Sequence, residues 1–415
     1  MIGGRSHTSP AREDVLRPAC IILIFYFVFE YTRPQYSLAP FLSYLRIPMI
    51  LTIILFVIFL KSDKEILKDR LVVYTTLFIA EIAFSVIYAV NTYYVWKAFF
   101  GMAIMLLAVI LVMPVICNNM QRLIAFFNTW IWIHVFVAGY SMLHGGHGPG
   151  GFLLDENDLS LTFNMALPLP LYLSMSPTIT SKRKNIYRFI SLLLIVCIGV
   201  TMSRGGFLGL LSVFGIIWLL SLNKIRTLFR VLLVVLILGY PVYKMIPDTY
   251  INEMSTITDK SDGTRLQREY FWGIAWDMFL DNPVLGVGAE NYPWNVAKYQ
   301  MRRPEYDPDK VTLFGGRPAH SLYFTLMPEL GLLGIILYIM ILYQILVKLK
   351  FVIRLGKNNA EFIDEMLMAK ALLVSTGTFL ITGAFISVLY YPPFWYLVGF
   401  VLTLHSITSA EIEQT

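Results

Sequence analysis

The chain has 415 residues, of which 57% are hydrophobic and only 14% charged, and its mean hydropathy is +0.65. Soluble domains carry ~25% charged residues, so the composition excludes a soluble globular protein and points to an all-α polytopic membrane protein. The net charge of +6 would raise nucleic-acid binding in a soluble protein. Here the basic residues follow membrane topology, and no nucleic-acid partner is expected.

Arg5, Arg12 and Arg17 precede an apolar run from Ala19 to Phe29. Glu30-Tyr31-Thr32-Arg33-Pro34 follows in place of a small-residue cleavage site, so the run reads as an uncleaved first helix. About twelve apolar spans can be drawn, near 17–31, 41–60, 71–90, 97–117, 123–143, 159–176, 186–202, 206–222, 229–246, 321–347, 367–388 and 391–408. Only Ser203-Arg204-Gly205 separates the seventh and eighth.

With the N-terminus in the cytoplasm, alternation places 20 of the 33 Lys and Arg in cytoplasmic segments. The short outer loops hold only Arg33, Arg46, Lys97 and Arg204. This is the positive-inside bias. Both termini are therefore expected on the cytoplasmic side of a bacterial inner membrane. The chain divides into nine spans (1–246), one long periplasmic, partly helical loop (247–320) and three closing spans (321–415). No ATP is available outside that membrane, so chemistry there needs a substrate that is already activated. No internal repeat of the kind many transporters show is visible.

Cys20, Cys117 and Cys197 fall in or beside apolar runs, with neither metal-ligand spacing nor a disulfide framework. Glu81 sits in mid-span, as a paired or neutral structural carboxyl or a proton relay. His144 and His147 lie in a glycine-rich outer loop with no evident third ligand, so no metal is assigned. Asp155-Glu156-Asn157-Asp158 opens a span. Capping of that helix is the simpler reading; binding of sugar hydroxyls or a cation is the other.

Arg204, in TMSRGGFLGL, is either an interface arginine that snorkels or a clamp for an anionic headgroup. Gly205 and Gly206 would then let a substrate approach the backbone. Thr264 and Gln267 fit a capping box for a helix over Thr264–Leu280, stopped by Asp281-Asn282-Pro283. At 100° per residue, Arg265, Arg268, Trp272, Ala275, Trp276 and Phe279 share one face, and Leu266, Tyr270, Ile274 and Met278 occupy the other. Arginines in a first helical turn oppose the helix dipole. They imply either a bound anion such as phosphate or pairing with Asp259, Asp262 or Glu269. His320 stands where the chain re-enters the membrane, with Ser321 next to it and Glu329 further on. A lone histidine is commonly structural, but its neutral form near pH 7 is a workable general base.

Taken together, REYFW (Arg268–Trp272), DNPVLGVGAENY (Asp281–Tyr292), HSLYFTLMPELGLLG (His320–Gly334), TMSRGGFLG (Thr201–Gly209) and DEND (Asp155–Asp158) resemble the O-antigen ligase and O-antigen polymerase superfamily. The resemblance covers about 130 residues, Thr201–Gly334. It implies a GT-C-like, metal-independent membrane glycosyltransferase without a cofactor. Such an enzyme takes a glycan from undecaprenyl pyrophosphate and, in ligases, moves it to the lipid A–core oligosaccharide. By position, Arg204 and Arg268, or Arg265 one turn earlier, would bind the pyrophosphate, and His320 would deprotonate the acceptor hydroxyl. Asp155, Asn157, Asp158 and Glu329 are secondary candidates. A polymerase and a protein O-oligosaccharyltransferase share the donor and differ in acceptor. A transporter of lipid-linked glycans is the reading from a different class.

Overall fold

The computed structural model describes residues 10–37, 39–62, 64–229, 232–233, 263–304, 306 and 314–413. It is all-helical, with no strand among the described residues. The helices that matter here are α1 (Pro10–Thr32), α2 (Ile47–Leu60), α3 (Arg70–Phe84), α4 (Thr92–Met105) and α5 (Met120–Leu143). They are followed by α6 (Glu156–Ala166), α7 (Pro168–Leu173), α8 (Ser181–Val200) and α9 (Arg204–Leu220). The rest are α10 (Gly263–Asp281), α11 (Tyr292–Gln300), α12 (Tyr323–Asn358), α13 (Ile363–Thr382) and α14 (Pro392–Ile412).

Among the described residues, five helical stretches are long and apolar enough to cross a membrane: Arg70–Ile87, Thr92–Ile116, Met120–Leu143, Tyr323–Asn358 and Ala360–Phe385. Three shorter apolar helices accompany them, at Pro18–Thr32, Ile47–Leu60 and Arg204–Leu220. The expected span over 159–176 is interrupted at Leu167, where Pro168 removes a backbone donor and α6 gives way to α7. Most of the expected span at 229–246, and the loop from 247 to 262 with Asp259 and Asp262, lie outside the described residues.

The core forms around α12, α13 and α14. Trp395, Tyr396, Phe394 and Phe379 are fully buried there, with Phe379 stacked on Phe394 at 4.5 Å between ring centres. Aromatic pairs of this kind add ~0.5–1.5 kcal/mol beyond area burial. Hydrogen bonds gather the loops at two opposite ends of the bundle. At one end Lys348 pairs with Asp69 at 2.5 Å, and Thr178 donates to Asp364. At the other, Tyr88 donates to the Leu285 carbonyl, Asn291 accepts from the Asn91 N–H, and Ser203 donates to Asn157. The two groups are the loops that alternation assigns to opposite membrane faces.

The middle segment adds a second, smaller core at the Asn157–Ser203 end. α10 buries Phe271, Ile274, Ala275 and Met278, spaced i, i+3, i+4, i+7, against Val287, Tyr292, Val296 and Tyr299. Burying each of the large side chains contributes ~1.5–3 kcal/mol. Ala275, two turns after Arg268 on the same side of the helix, is buried with Ile274 and Met278, so the arginine-bearing face borders this core. The opposite side leaves Trp276 and Leu280 exposed, and with them Leu266, expected on the face of Ile274 and Met278 but lying about two to three turns earlier, where the core does not reach. Apolar exposure of this kind suits a helix lying in a membrane interface. Arg303 ties α10 to the end of α11, reaching Asp277 at 2.8 Å.

Candidate functional site

The site begins with a break in α12. Gly331 has φ 58° and ψ −157°, so the helix does not run through it. Pro328, three residues earlier, supplies no N–H donor. The backbone groups freed by the break are taken up by the loop after α10. Val287 N and Gly288 N donate to the carbonyls of Pro328 and Glu329 at 2.8 and 2.9 Å. In return, Leu332 N and Leu333 N donate to the carbonyls of Pro283 and Val284 at 2.8 and 3.1 Å. The approach is backbone to backbone: a Cβ on Gly331 would lie 2.5 Å from the Val284 oxygen, and one on Gly286 would lie 2.4 Å from Glu329. The two longest motif stretches of the chain are therefore each other's partners.

Glu329 completes the joint. It is 2% exposed, and its carboxylate accepts from Glu290 N at 2.8 Å, Tyr292 N at 3.2 Å and Tyr390 Oη at 2.8 Å. These three bonds occupy the secondary candidate Glu329 as a clasp. A buried carboxylate left without them would cost several kcal/mol.

His320 is placed by the same assembly. Trp272 Nε1 of α10 donates to the Ala319 carbonyl at 2.9 Å, and the Trp272 ring stacks on Phe324 at 5.0 Å. Leu322 N donates to Gly383 O at 2.6 Å, and Gly316 N to Pro293 O at 3.0 Å. Between these anchors the chain must turn sharply, and His320 adopts a left-handed backbone with φ 49°. Histidine enters this region more readily than most residues, at a cost of ~1–2 kcal/mol. Its side chain reaches solvent while Ala319, Ser321 and Leu322 are buried.

Three charged groups act electrostatically on this imidazole. Partial burial lowers the pKa of His320 below its ordinary 6.5; the Arg268 guanidinium lowers it further, Asp155 raises it, and Arg317 lowers it. Histidine, Arg268 and the acidic loop thus act on one another, although they come from three separate parts of the chain. Arg317 escaped the sequence reading. The only signal for it was a cation three residues before the histidine, in GGRPAH. The helix carrying Arg268 starts at Gly263, one residue ahead of Thr264. The side chains of Thr264 and Arg265 lie outside the described residues, as therefore does the choice between Arg265 and Arg268.

Arg204 opens α9 and is partly buried. Ser203 caps the helix, its hydroxyl accepting from Gly206 N at 2.9 Å and donating to Asn157 Oδ1 at 2.7 Å. Asp155 caps α6, accepting from Asn157 N at 2.8 Å and Asp158 N at 3.4 Å. Tyr391 donates to the Asp158 carbonyl. Asp155 therefore does the capping work expected of the acidic cluster, and Asn157 joins the acidic loop to the Arg204 turn. Gly206 does not leave room for a substrate. A Cβ there would meet Ser160 at 2.6 Å, so its missing side chain serves close packing of α9 on α6.

Among the described residues no group of three or more His, Cys, Asp or Glu is placed to hold a metal ion. His144 lies flat on Tyr140 at 3.8 Å, and its Nδ1 bonds the Tyr140 carbonyl. The assembled groups are cations suited to an anionic headgroup, a solvent-reaching imidazole whose pKa is lowered by partial burial and by Arg268, and a polar loop beside them.

Residues 189–339 match the family described as O-antigen ligase. That segment runs from α8 through the α12 break, so it contains Arg204, Arg268, His320 and Glu329. No curated protein matches the chain.

Proposed function

We propose that this chain, whose residues 189–339 match the family described as O-antigen ligase, is a ligase. It would move a glycan from undecaprenyl pyrophosphate to the lipid A–core oligosaccharide at the periplasmic face of the inner membrane. The observation that carries this reading is the bond from Trp272 Nε1 of α10 to the Ala319 carbonyl at 2.9 Å, which seats the helix of Arg268 beside His320 at the membrane end of a loop tied to the helix break; Arg268, Asp155 and Arg317 all act on that imidazole.

In the proposed step, Nε2 or Nδ1 of neutral His320 takes the proton of an acceptor hydroxyl. The oxygen attacks the anomeric carbon of the donor sugar from the side opposite the phosphate. The new carbon–oxygen bond forms as the bond to the phosphate oxygen breaks, and the electron pair leaves with undecaprenyl pyrophosphate. One displacement inverts the anomeric centre. Arg204 and Arg268 stabilise the charge that grows on the departing pyrophosphate; preorganised cations in a partly dry site are effective there. A planar guanidinium holds two phosphate oxygens at once. Asp155 opposes the effect of the arginines on His320 and keeps the imidazole basic enough to accept a proton. No metal or cofactor has a role in this step.

A lipid-borne donor meets the site sideways from the bilayer, past the exposed Leu266, Trp276 and Leu280 of α10. The test is incubation of purified protein with lipid-linked glycan and lipid A–core. A glycan-bearing core is the expected product. A longer lipid-linked chain would replace ligase by polymerase, and the absence of both products would favour transport.

A further inference from the structure

Next to His320 the fold leaves a cavity of about 200 Å³. Pro318 and Ala319, the two residues before the histidine, form one wall, and the cavity continues to Glu290, Glu329, Tyr390 and Ser387. It is smaller than the ~300–1,000 Å³ typical of drug-sized pockets, which suits one sugar ring.

The polar groups around it divide into committed and available ones. Glu329 and Tyr390 are bonded to each other at 2.8 Å, and Glu329 also holds two backbone N–H groups. Glu290 differs. Its backbone is left-handed, φ 53°, and its N–H is held by Glu329. Glycine would suit such a turn better, yet the chain has a glutamate there. Among the described residues its carboxyl group makes no hydrogen bond and no ion pair; burial raises its pKa above the ordinary carboxylate value, and Lys97 lowers it through the longer-range field. Ser387 is exposed at the rim, with Thr325 Oγ1 at 3.3 Å.

The lining carries two carboxyl groups and no lysine or arginine, so a pyrophosphate is disfavoured and a neutral polyol is not. We propose that this cavity seats the terminal sugar ring of the acceptor, with the Glu290 carboxylate accepting from its hydroxyls and Ser387 hydrogen-bonding at the rim. The neighbouring hydroxyl of that ring is then presented to His320. This assignment rests on the ligase reading above, and it makes Glu290 a specificity-determining residue of the acceptor site.

The experiment measures transfer kinetics of the purified full-length protein with lipid-linked glycan as donor and lipid A–core as acceptor, for the wild type, Glu290→Gln and Ser387→Ala. The expected result is an acceptor KM raised about tenfold or more by Glu290→Gln, since hydrogen bonds to charged groups are the stronger ones. Ser387→Ala raises it severalfold, and the donor KM stays unchanged in both. Should Glu290→Gln fail to fold, Ser387→Ala at the exposed rim carries the same test. An unchanged acceptor KM in the folded variants, beside a working wild type, overturns the assignment. So does a raised donor KM with an unchanged acceptor KM. A wild type that glycosylates no lipid A–core overturns the ligase reading itself, and the acceptor seat with it.

Discussion

Replacing Gly331 with alanine strikes the joint on which the site is built. The residue sits at φ 58°, ψ −157°, a region that is almost exclusively glycine's and costs other residues ~1–3 kcal/mol. The added Cβ would stand 2.5 Å from the Val284 oxygen and 2.8 Å from Gly286 N. One of the two backbones must retreat. The bonds from Leu332 N and Leu333 N are then weakened or lost, at ~0.5–1.5 kcal/mol each. Summing these terms gives a loss of about 2–6 kcal/mol. The matching control is Gly215→Ala in α9, where nothing lies within 4 Å of the new Cβ and alanine gains up to ~1 kcal/mol in helix propensity. The assay is the thermal unfolding midpoint in detergent, read beside glycan transfer. Gly331→Ala should lower the midpoint and lose transfer, because displacing the loop after α10 also moves the Trp272 anchor of Ala319. Gly215→Ala should match or exceed the wild-type midpoint. A Gly331→Ala protein with wild-type midpoint and wild-type rate would refute the mutual docking of the two motif stretches.

Glu329→Ala leaves Glu290 N, Tyr292 N and Tyr390 Oη without their acceptor, at ~1–3 kcal/mol for each buried group; a drop in the same unfolding midpoint checks this. The pH–rate profile should show an acid limb below the ordinary histidine value of 6.5. The imidazole works only when neutral, so activity falls as pH drops through its lowered pKa. Arg268→Gln removes a lowering influence and should move that limb to higher pH, whereas Asp155→Asn removes a raising one and should move it to lower pH. Arg204→Ala should raise the donor KM about tenfold or more, given ~1.5–3 kcal/mol for a charge-assisted hydrogen bond, with the acceptor KM unchanged.

Much of the fold is legible in the sequence because membranes impose simple rules. Apolar runs, the basic bias of alternate loops and the stop at Asp281-Asn282-Pro283 each follow from local composition, and α10 runs over nearly the residues expected. The helix break is different. Pro328 hints at it, but the pairing of Pro283–Gly288 with Pro328–Leu333 is made by backbone groups, which leave no side-chain pattern to read. For the same reason the sequence suggests substrate access at Gly206, where Ser160 of a distant helix fills the space. Arg204, Arg268 and His320 stand out as charges in unlikely surroundings. The capping link from Asn157 to Ser203 and the Trp272 anchor depend on which loops meet at one end of the bundle, and that is a tertiary property.

The most direct measurement is single-turnover glycan transfer by His320→Ala at saturating donor and acceptor. General bases contribute ~10²–10⁴ in rate, so the variant should fall by about a hundredfold or more while it still binds lipid-linked pyrophosphate and unfolds at the wild-type midpoint. Transfer at the wild-type rate by a folded His320→Ala protein would contradict the role given to His320.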